Sequence, residues 1–270
     1  MWWRRFVYRQ YYGTIKSSIY RVLRRSRVKR DEERIKQEYG TLWKRRMDEM
    51  QKGEKARVQF LYGRPLLCSA IDNRRYIVQR LNTHIASFDS HTILEMGSGN
   101  GVNILALALL NPTRRFYGVE LTHEGVEASG ALLKDPSIED LIFLTGLSRK
   151  VVCERMPRLT ISFVEGDMRQ LPFEDGFFDF VFSWVAFEQL PRDYIHAFRE
   201  ARRVVKGYAV FLEEFVEAQE NIFQRMNLRN LDYFRASFRA VEDAGFSLRG
   251  FTPLPFRKVK YTIGEVVVSS

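Results

Sequence analysis

Thr92-Ile-Leu-Glu-Met-Gly-Ser-Gly-Asn-Gly101 is an apolar run that carries one acid, Glu95, and breaks into glycines at 97, 99 and 101. The pattern predicts a buried parallel strand running into a tight loop. Val102–Leu110, apolar apart from Asn103, predicts a helix directly after it. Strand, glycine turn and helix together make a nucleotide-type cofactor site, because glycine lets the backbone approach a ligand where a Cβ would collide. The turn alone leaves the cofactor open.

Downstream, strand and helix signals alternate. Strands are expected at Arg115–Glu120, Thr160–Val164, Phe177–Phe182, Gly207–Phe215, Phe246–Pro253 and Lys258–Val268, the last two close enough to pair antiparallel. Helices are expected at His123–Lys134, Asp193–Val205 and Tyr233–Ala244, the last closed by Gly245. Such alternation implies an α/β fold with a doubly wound, seven-stranded, mostly parallel sheet and helices on both faces. Residues 135–159 exceed an ordinary connection of about 4–6 residues, and Leu141–Leu147 reads as an extra helix there. Upstream, Arg64–Ser87 reads as a helix with Ile71, Ile77, Val78, Leu81 and Ile85 on its apolar face and Pro65 in its first turn.

The chain of 270 residues is 45% hydrophobic and 28% charged, ordinary for a globular protein, and no apolar run reaches the ~20 residues of a membrane span. Cys68 and Cys153 stand apart without metal-ligand spacing, which favours two reduced thiols and no structural metal. The net charge of +10 is uneven: residues 1–60 hold 18 Lys/Arg against seven acids, so residues 61–270 carry −1. The expected division is therefore a basic helical arm over 1–60 and a domain over 61–270 whose cofactor core starts near residue 90. No acid precedes Asp31, and Trp3, Val7, Tyr11, Ile15, Ile19 and Val22 fall on one helical stripe, with a second charged helix expected over 31–60. Three uses of this stripe stay open. It packs on its own domain or on a second copy as a homo-oligomer; residues 1–30 lie on an anionic membrane surface; or the arm grips nucleic acid or another polyanion. The expected location is cytoplasmic, peripheral to the inner membrane in the second case.

Four motifs follow in order: Glu95-Met-Gly97-Ser98-Gly99-Asn-Gly101, the strand-closing acid Glu120, Gly166-Asp167-Met168-Arg-Gln-Leu171-Pro172-Phe173, and Phe178-Asp179-Phe-Val-Phe-Ser183 followed by Trp184-Val-Ala-Phe187-Glu188-Gln189. Val102 stands where a dinucleotide fingerprint wants its last glycine. From Thr92 onward the chain resembles the class I S-adenosylmethionine-dependent methyltransferases, most of all the subgroup of quinone-biosynthesis and small-molecule enzymes. The resemblance implies S-adenosyl-L-methionine as cofactor in a Rossmann-like fold. It places the loop of Gly97, Ser98, Gly99 and Gly101 beneath the methionine portion and Glu95 on the methionine ammonium. Glu120, with Leu121 beside it, falls to the ribose hydroxyls, Asp167 and the Met168 N–H to adenine, and Ser183, Trp184 and Phe187 to the sulfonium end. The insertion then falls near the adenine end. Asp179 reads as a structural residue at a strand start.

Many relatives carry Glu-His where this chain has Glu188-Gln189, and glutamine takes no proton at neutral pH. The candidate bases are Glu213 and Glu214 at the end of their strand, Glu188, and His123. His84, His91 and His196 are expected to be non-catalytic. The function expected is methyl transfer to a small-molecule, lipid-linked or glycan acceptor, on oxygen. The alternatives are an RNA methyltransferase whose arm binds phosphates, and a cofactor-binding scaffold without catalysis. The Asp/Asn-Pro-Pro motif of DNA amino-methyltransferases is absent, Ser183-Trp-Val-Ala standing in its place.

Overall fold

The computed structural model describes residues 57–61, 64–190, 192–258 and 260–270, with nine positions between Arg4 and Ile19. Those nine are helical and exposed. Ile15 and Ile19 of the expected stripe are 38% and 54% exposed, so at these two positions the stripe is not buried in the domain. Trp3, Val7, Tyr11, Val22 and the charged segment before residue 57 lie outside the described residues.

The elements run β1 (Arg57–Leu61), β2 (Arg64–Cys68), α1 (Ala70–Ser87), β3 (Thr92–Met96), α2 (Val102–Leu110), β4 (Arg115–Glu120), α3 (His123–Lys134), α4 (Ile138–Thr145), α5 (Arg149–Arg155) and β5 (Thr160–Glu165). They continue with β6 (Phe178–Trp184), α6 (Tyr194–Val204), β7 (Val205–Glu213), α7 (Ile222–Leu231), α8 (Ala240–Asp243), β8 (Ser247–Arg257) and β9 (Thr262–Ser269). The sheet order is β2-β1-β8-β9-β7-β6-β3-β4-β5. Strands β5-β4-β3-β6-β7 are parallel, while β9, β8, β1 and β2 add on antiparallel. The expected seven strands are β3 to β9, and the doubly wound Rossmann-like fold is the one the chain adopts. Among the described residues the sheet has nine strands, because the β1–β2 hairpin extends it.

Parallel strands need burial on both faces, and β3 is buried at all five positions. One layer of side chains, including Phe187, Phe198, Phe211 and Phe234, packs α6 and α8 on one face. Ile77, Leu81, Ile85, Leu105, Leu109 and Leu144 pack α1, α2 and α4 on the other. Arg80 on α1 makes a two-pronged ion pair with buried Glu265 of β9, tying that helix layer to the sheet. The chain leaves β3 toward β4 on one side and returns to β6 on the other, so the crevice of the sheet opens at the carboxyl ends of β3 and β6.

Four expectations are corrected. Arg64–Cys68 is a strand, and α1 starts at Ala70, where Asp72 accepts from the Ser69 N–H (2.8 Å) and hydroxyl (2.9 Å). Pro65 thus sits in an edge strand, where its missing N–H is tolerated. The boundary expected at residue 60 falls inside β1. The helix expected over Tyr233–Ala244 shrinks to Ala240–Asp243, and the helix that sequence reading missed is α7. Asp232, at φ +53°, ends α7 and reverses the chain, and Val216 N–H donates to Ala236 O (3.0 Å). The insertion forms α4 and α5, and it packs on the helix layer: Gln79 Nε2 donates to Leu144 O and Thr145 O, and Arg155 to Leu109 O.

Cys68 is buried and Cys153 exposed, both as free thiols. No helix among the described residues is long and apolar enough to cross a membrane.

Candidate active site

The glycine loop holds its shape through positive φ at Gly97 (+74°), Gly99 (+57°) and Gly101 (+74°). The Gly97 and Ser98 N–H groups both donate to Val119 O, at 2.8 and 2.9 Å, which folds the loop onto the end of β4. A Cβ at Gly97 would lie 2.6 Å from Ala186 Cβ and 3.2 Å from Met168 Cε. Three loops, following β3, β5 and β6, therefore converge on one hydrogen-sized gap.

Glu120 joins the β3 loop to the turn that follows β4. Its Oε2 accepts from Gly99 N–H (3.0 Å), and its Oε1 from Thr122 N–H (3.2 Å) and hydroxyl (2.8 Å). Burial pushes this carboxyl upward, and the Thr122 and Gly99 hydrogen bonds oppose the shift. Ser129 Oγ donates to Gly99 O (3.0 Å), holding the loop from α3. Leu121 follows Glu120, half-buried.

Glu95 is 1% exposed. Its Oε1 accepts from Asn103 Nδ2 (2.6 Å), and Asn103 Oδ1 accepts from Arg74 Nη1 (2.6 Å). Oε2 has no donor among the described residues, nor does the buried Ser98 Oγ have a partner. Burial pushes the Glu95 carboxyl up to about 8, against the pull of Asn103 and Arg74. A buried carboxylate oxygen without a donor costs free energy until a cation or donor meets it. The ammonium of a methionine moiety has that chemistry, so this corner fits the cofactor. Arg74 also lies over the Trp184 ring, 5.0 Å from its centroid. Asn103 is the one polar residue of an otherwise apolar helix, which marks it in the sequence; Arg74 carries no such mark.

Asp167 is engaged differently from the expectation. Arg169 Nε donates to both its oxygens (3.0 and 2.9 Å) and the Arg169 N–H to Oδ1 (2.8 Å). The carboxylate therefore holds its own turn, and an adenine amino group would share it with Arg169. Met168 meets the glycine loop, as described above.

At the fourth loop, Ser183 hydroxyl (2.6 Å), Ala186 N–H (3.2 Å) and Phe187 N–H (3.1 Å) all donate to Glu213. This clamp holds Val185 at φ +52°, an unfavourable backbone for a β-branched residue. Burial pushes the Glu213 carboxyl up to about 8, opposed by those same three donors. Both Glu213 oxygens are committed to these donors, an arrangement that suits holding the loop rather than taking a proton, the role it was expected to play. Glu214 is as deeply buried, and neither of its oxygens has a hydrogen-bond partner among the described residues. Burial, then the neighbouring Glu188 and Glu213, push its carboxyl well above the usual range, and Lys258 pulls it back. Glu188 is half-buried and accepts from Gln189 Nε2 (2.7 Å).

His123 lies on the outer rim, 69% exposed, between Glu165 (3.1 Å) and Glu127 (3.4 Å). Its surface position removes it from the buried carboxylates. Asp179 is at the opposite edge of the sheet, accepting from His91 N–H, Thr92 N–H and the Thr92 hydroxyl. Among the described residues no group of His, Cys, Asp and Glu could hold a metal ion.

A profile of the methyltransferase domain matches residues 94–212, from β3 to the end of β7. This stretch of the chain, which holds the glycine loop, Glu120, Asp167 and the Ser183 loop, is a methyltransferase domain. The Glu95 corner and the glycine loop fit S-adenosyl-L-methionine as that domain's cofactor. Three solved structures share the methyltransferase's fold at low identity. One is a SAM-dependent methyltransferase from Methanosarcina mazei, at 16% identity and TM-score 0.51, covering 66% of this chain and 91% of that one. Another is the cyclase SpnF, at 14% identity and TM-score 0.61, covering 87% and 94%. The third is geranyl diphosphate methyltransferase in complex with GPP and sinefungin, an analogue of the cofactor, at 12% identity and TM-score 0.50, covering 72% and 76%. No match is found among curated proteins.

Proposed function

We propose that this methyltransferase methylates an oxygen of a small-molecule, lipid-linked or glycan acceptor, with Glu214 as the proton acceptor. The observation that carries this reading is a carboxyl at the carboxyl end of β7, wholly buried, with both oxygens unpartnered among the described residues. Among the described residues no hydrogen bond uses it. A carboxyl lifted toward neutrality is a stronger base than an ordinary one, which suits the task of deprotonating a hydroxyl.

In this reading the cofactor, when bound, supplies an electrophilic methyl group. Glu95 Oε2 takes the ammonium, the Gly97–Gly101 backbone and Glu120 hold the nucleoside side, and Met168 covers the adenine face. Trp184 and Ser183 border the transfer zone, with the loop beyond them fixed by Glu213. Glu214 would take the proton of the acceptor hydroxyl as that oxygen accepted the methyl group, the donor's C–S bond breaking to leave neutral S-adenosylhomocysteine. Positioning contributes most of the remaining acceleration, since the displacement is in line and forms no covalent enzyme intermediate.

Glu214→Gln tests the assignment. With labelled methyl donor and fractionated extract, the variant should transfer roughly 100- to 10,000-fold more slowly, and its rate should lose the rise with pH that Glu214 ionisation gives the parent. Cofactor affinity should stay within about twofold. Equal rates at all pH values would remove Glu214 from the chemistry, and bound cofactor without turnover in the parent would favour the scaffold reading.

For the arm we favour the anionic membrane surface. Tyr8, Tyr12, Ile15 and Ile19 are exposed beside Arg4, Arg5, Arg9 and Lys16, a pairing of apolar and basic groups that suits lipid headgroups. Flotation with anionic liposomes should be lost when residues 1–30 are deleted. RNA binding with a steep salt dependence, and no flotation, would reverse this choice.

A further inference from the structure

A cavity of about 380 Å³ lies just past Glu214, lined by Val216, Gln219, Arg225, Leu228, Arg229 and Arg235. Half of its lining side chains are exposed arginines, and among the described residues no acid lines it. Arg225 and Arg229 are one turn apart on α7, so their side chains share a face of the helix. Neither has an acid or carbonyl partner among the described residues, and like charges at this spacing disfavour a helix. Arg235 arrives from across the reversal at Asp232. It donates to Tyr233 O (2.9 Å) and lies 3.5 Å from an Asp232 oxygen. Arg192 also takes Asp232, at 2.9 and 3.0 Å, so a single carboxylate serves two guanidinium groups. Three guanidinium groups thus line the cavity, and only that of Arg235 has a carboxylate partner among the described residues, in a domain whose residues 61–270 carry −1 overall. The floor is apolar, from Leu228 and Val216, and Gln219 is already committed to Phe215 O and Thr262 O. No part of the methyl-transfer site described above uses this cavity.

We infer that this arginine cavity binds a phosphate or diphosphate group. A lone carboxylate would leave most of the positive charge unmatched, whereas phosphate carries two charges and accepts from guanidinium forks in pairs. The 3-10 turn Val216–Ala218 connects the cavity directly to Glu213 and Glu214. A phosphorylated acceptor anchored here extends toward the buried carboxyl, which narrows the acceptor class to phosphate-bearing molecules. That last step rests on Glu214 marking the acceptor site; anion binding itself does not.

The probe is inorganic pyrophosphate, titrated calorimetrically into the full chain. The parent should bind it saturably, and Arg225→Gln/Arg229→Gln should weaken binding about tenfold or more. Arg158→Gln/Arg199→Gln, an equal charge change at exposed positions elsewhere, should leave it within about twofold. Absence of saturable binding, or equal weakening in both double variants, overturns the inference. A second arm uses vesicles containing phosphatidylglycerol: flotation that depends on Arg225 and Arg229 without pyrophosphate binding assigns the cavity to a lipid surface and overturns the small-ligand assignment. Cofactor affinity and the Glu214→Gln rate loss are measured beside these, so failure of anion binding and failure of the methylation reading give different patterns.

Discussion

Gly97→Ala places a methyl group where three loops meet. Its backbone at φ +74° costs an L-residue about 1–2 kcal/mol. The new Cβ, 2.6 Å from Ala186 Cβ and 3.2 Å from Met168 Cε, adds an overpacking cost of about 1–3 kcal/mol. Restricting the unfolded chain offsets about 0.4–1 kcal/mol, so the net destabilisation should be roughly 2–4 kcal/mol. Urea unfolding measures it, and calorimetry with S-adenosylhomocysteine should show weaker binding as the loop shifts. Adding Ala186→Gly removes the atom struck and should recover roughly 1–3 kcal/mol, leaving the dihedral cost, which makes the pair a double-mutant cycle. Gly130→Ala is the control, because a Cβ there meets nothing within 4 Å and the helix should gain about 0.5–1 kcal/mol. If Gly97→Ala unfolds at the parent's midpoint and binds ligand as tightly, the loops do not converge as described.

Two other outcomes are expected. Glu95→Gln removes the charge we assign to the cofactor's ammonium and should weaken cofactor affinity by about 1–3 kcal/mol, read by calorimetry; an unchanged affinity would dissociate Glu95 from the methionine end. Asp179 is desolvated by burial, but Thr92, Lys206 and the His91 N–H outweigh that and hold its carboxyl down from 3.8 to about 2. The folded state therefore gains stability above the unfolded value, a gain lost as pH falls toward about 2. Asp179→Asn should cost about 1–2 kcal/mol near neutral pH, with the difference from the parent closing between about pH 4 and pH 2 in urea titrations.

The strand, loop and helix from Thr92 to Leu110 were legible because burial on both faces forces a continuous apolar run, and close backbone packing forces glycine. Glu120 was legible as an acid closing a strand. The β1–β2 hairpin was not, since Leu66-Leu67-Cys68 is too short to show a period and Pro65 imitates a helix start. Phe234, Phe238 and Val241 carry helical spacing, yet Asp232 turns the chain and most of that segment is irregular. Glu213 and Glu214 are neighbours of one residue type. Only the fold reveals that the first accepts three hydrogen bonds and the second none from the described residues. Asp167 was read for a ligand, and Arg169, two residues on, takes its charge.

The relay from Arg74 through Asn103 to Glu95 crosses a boundary that homology alone would draw elsewhere. Arg74 stands twenty residues before the first position that aligns with the methyltransferase profile. The cationic end of the relay is thus lent by a helix that precedes the catalytic core. Grafting the glycine-rich core without α1 would leave its innermost acid facing the sheet with no positive counterweight.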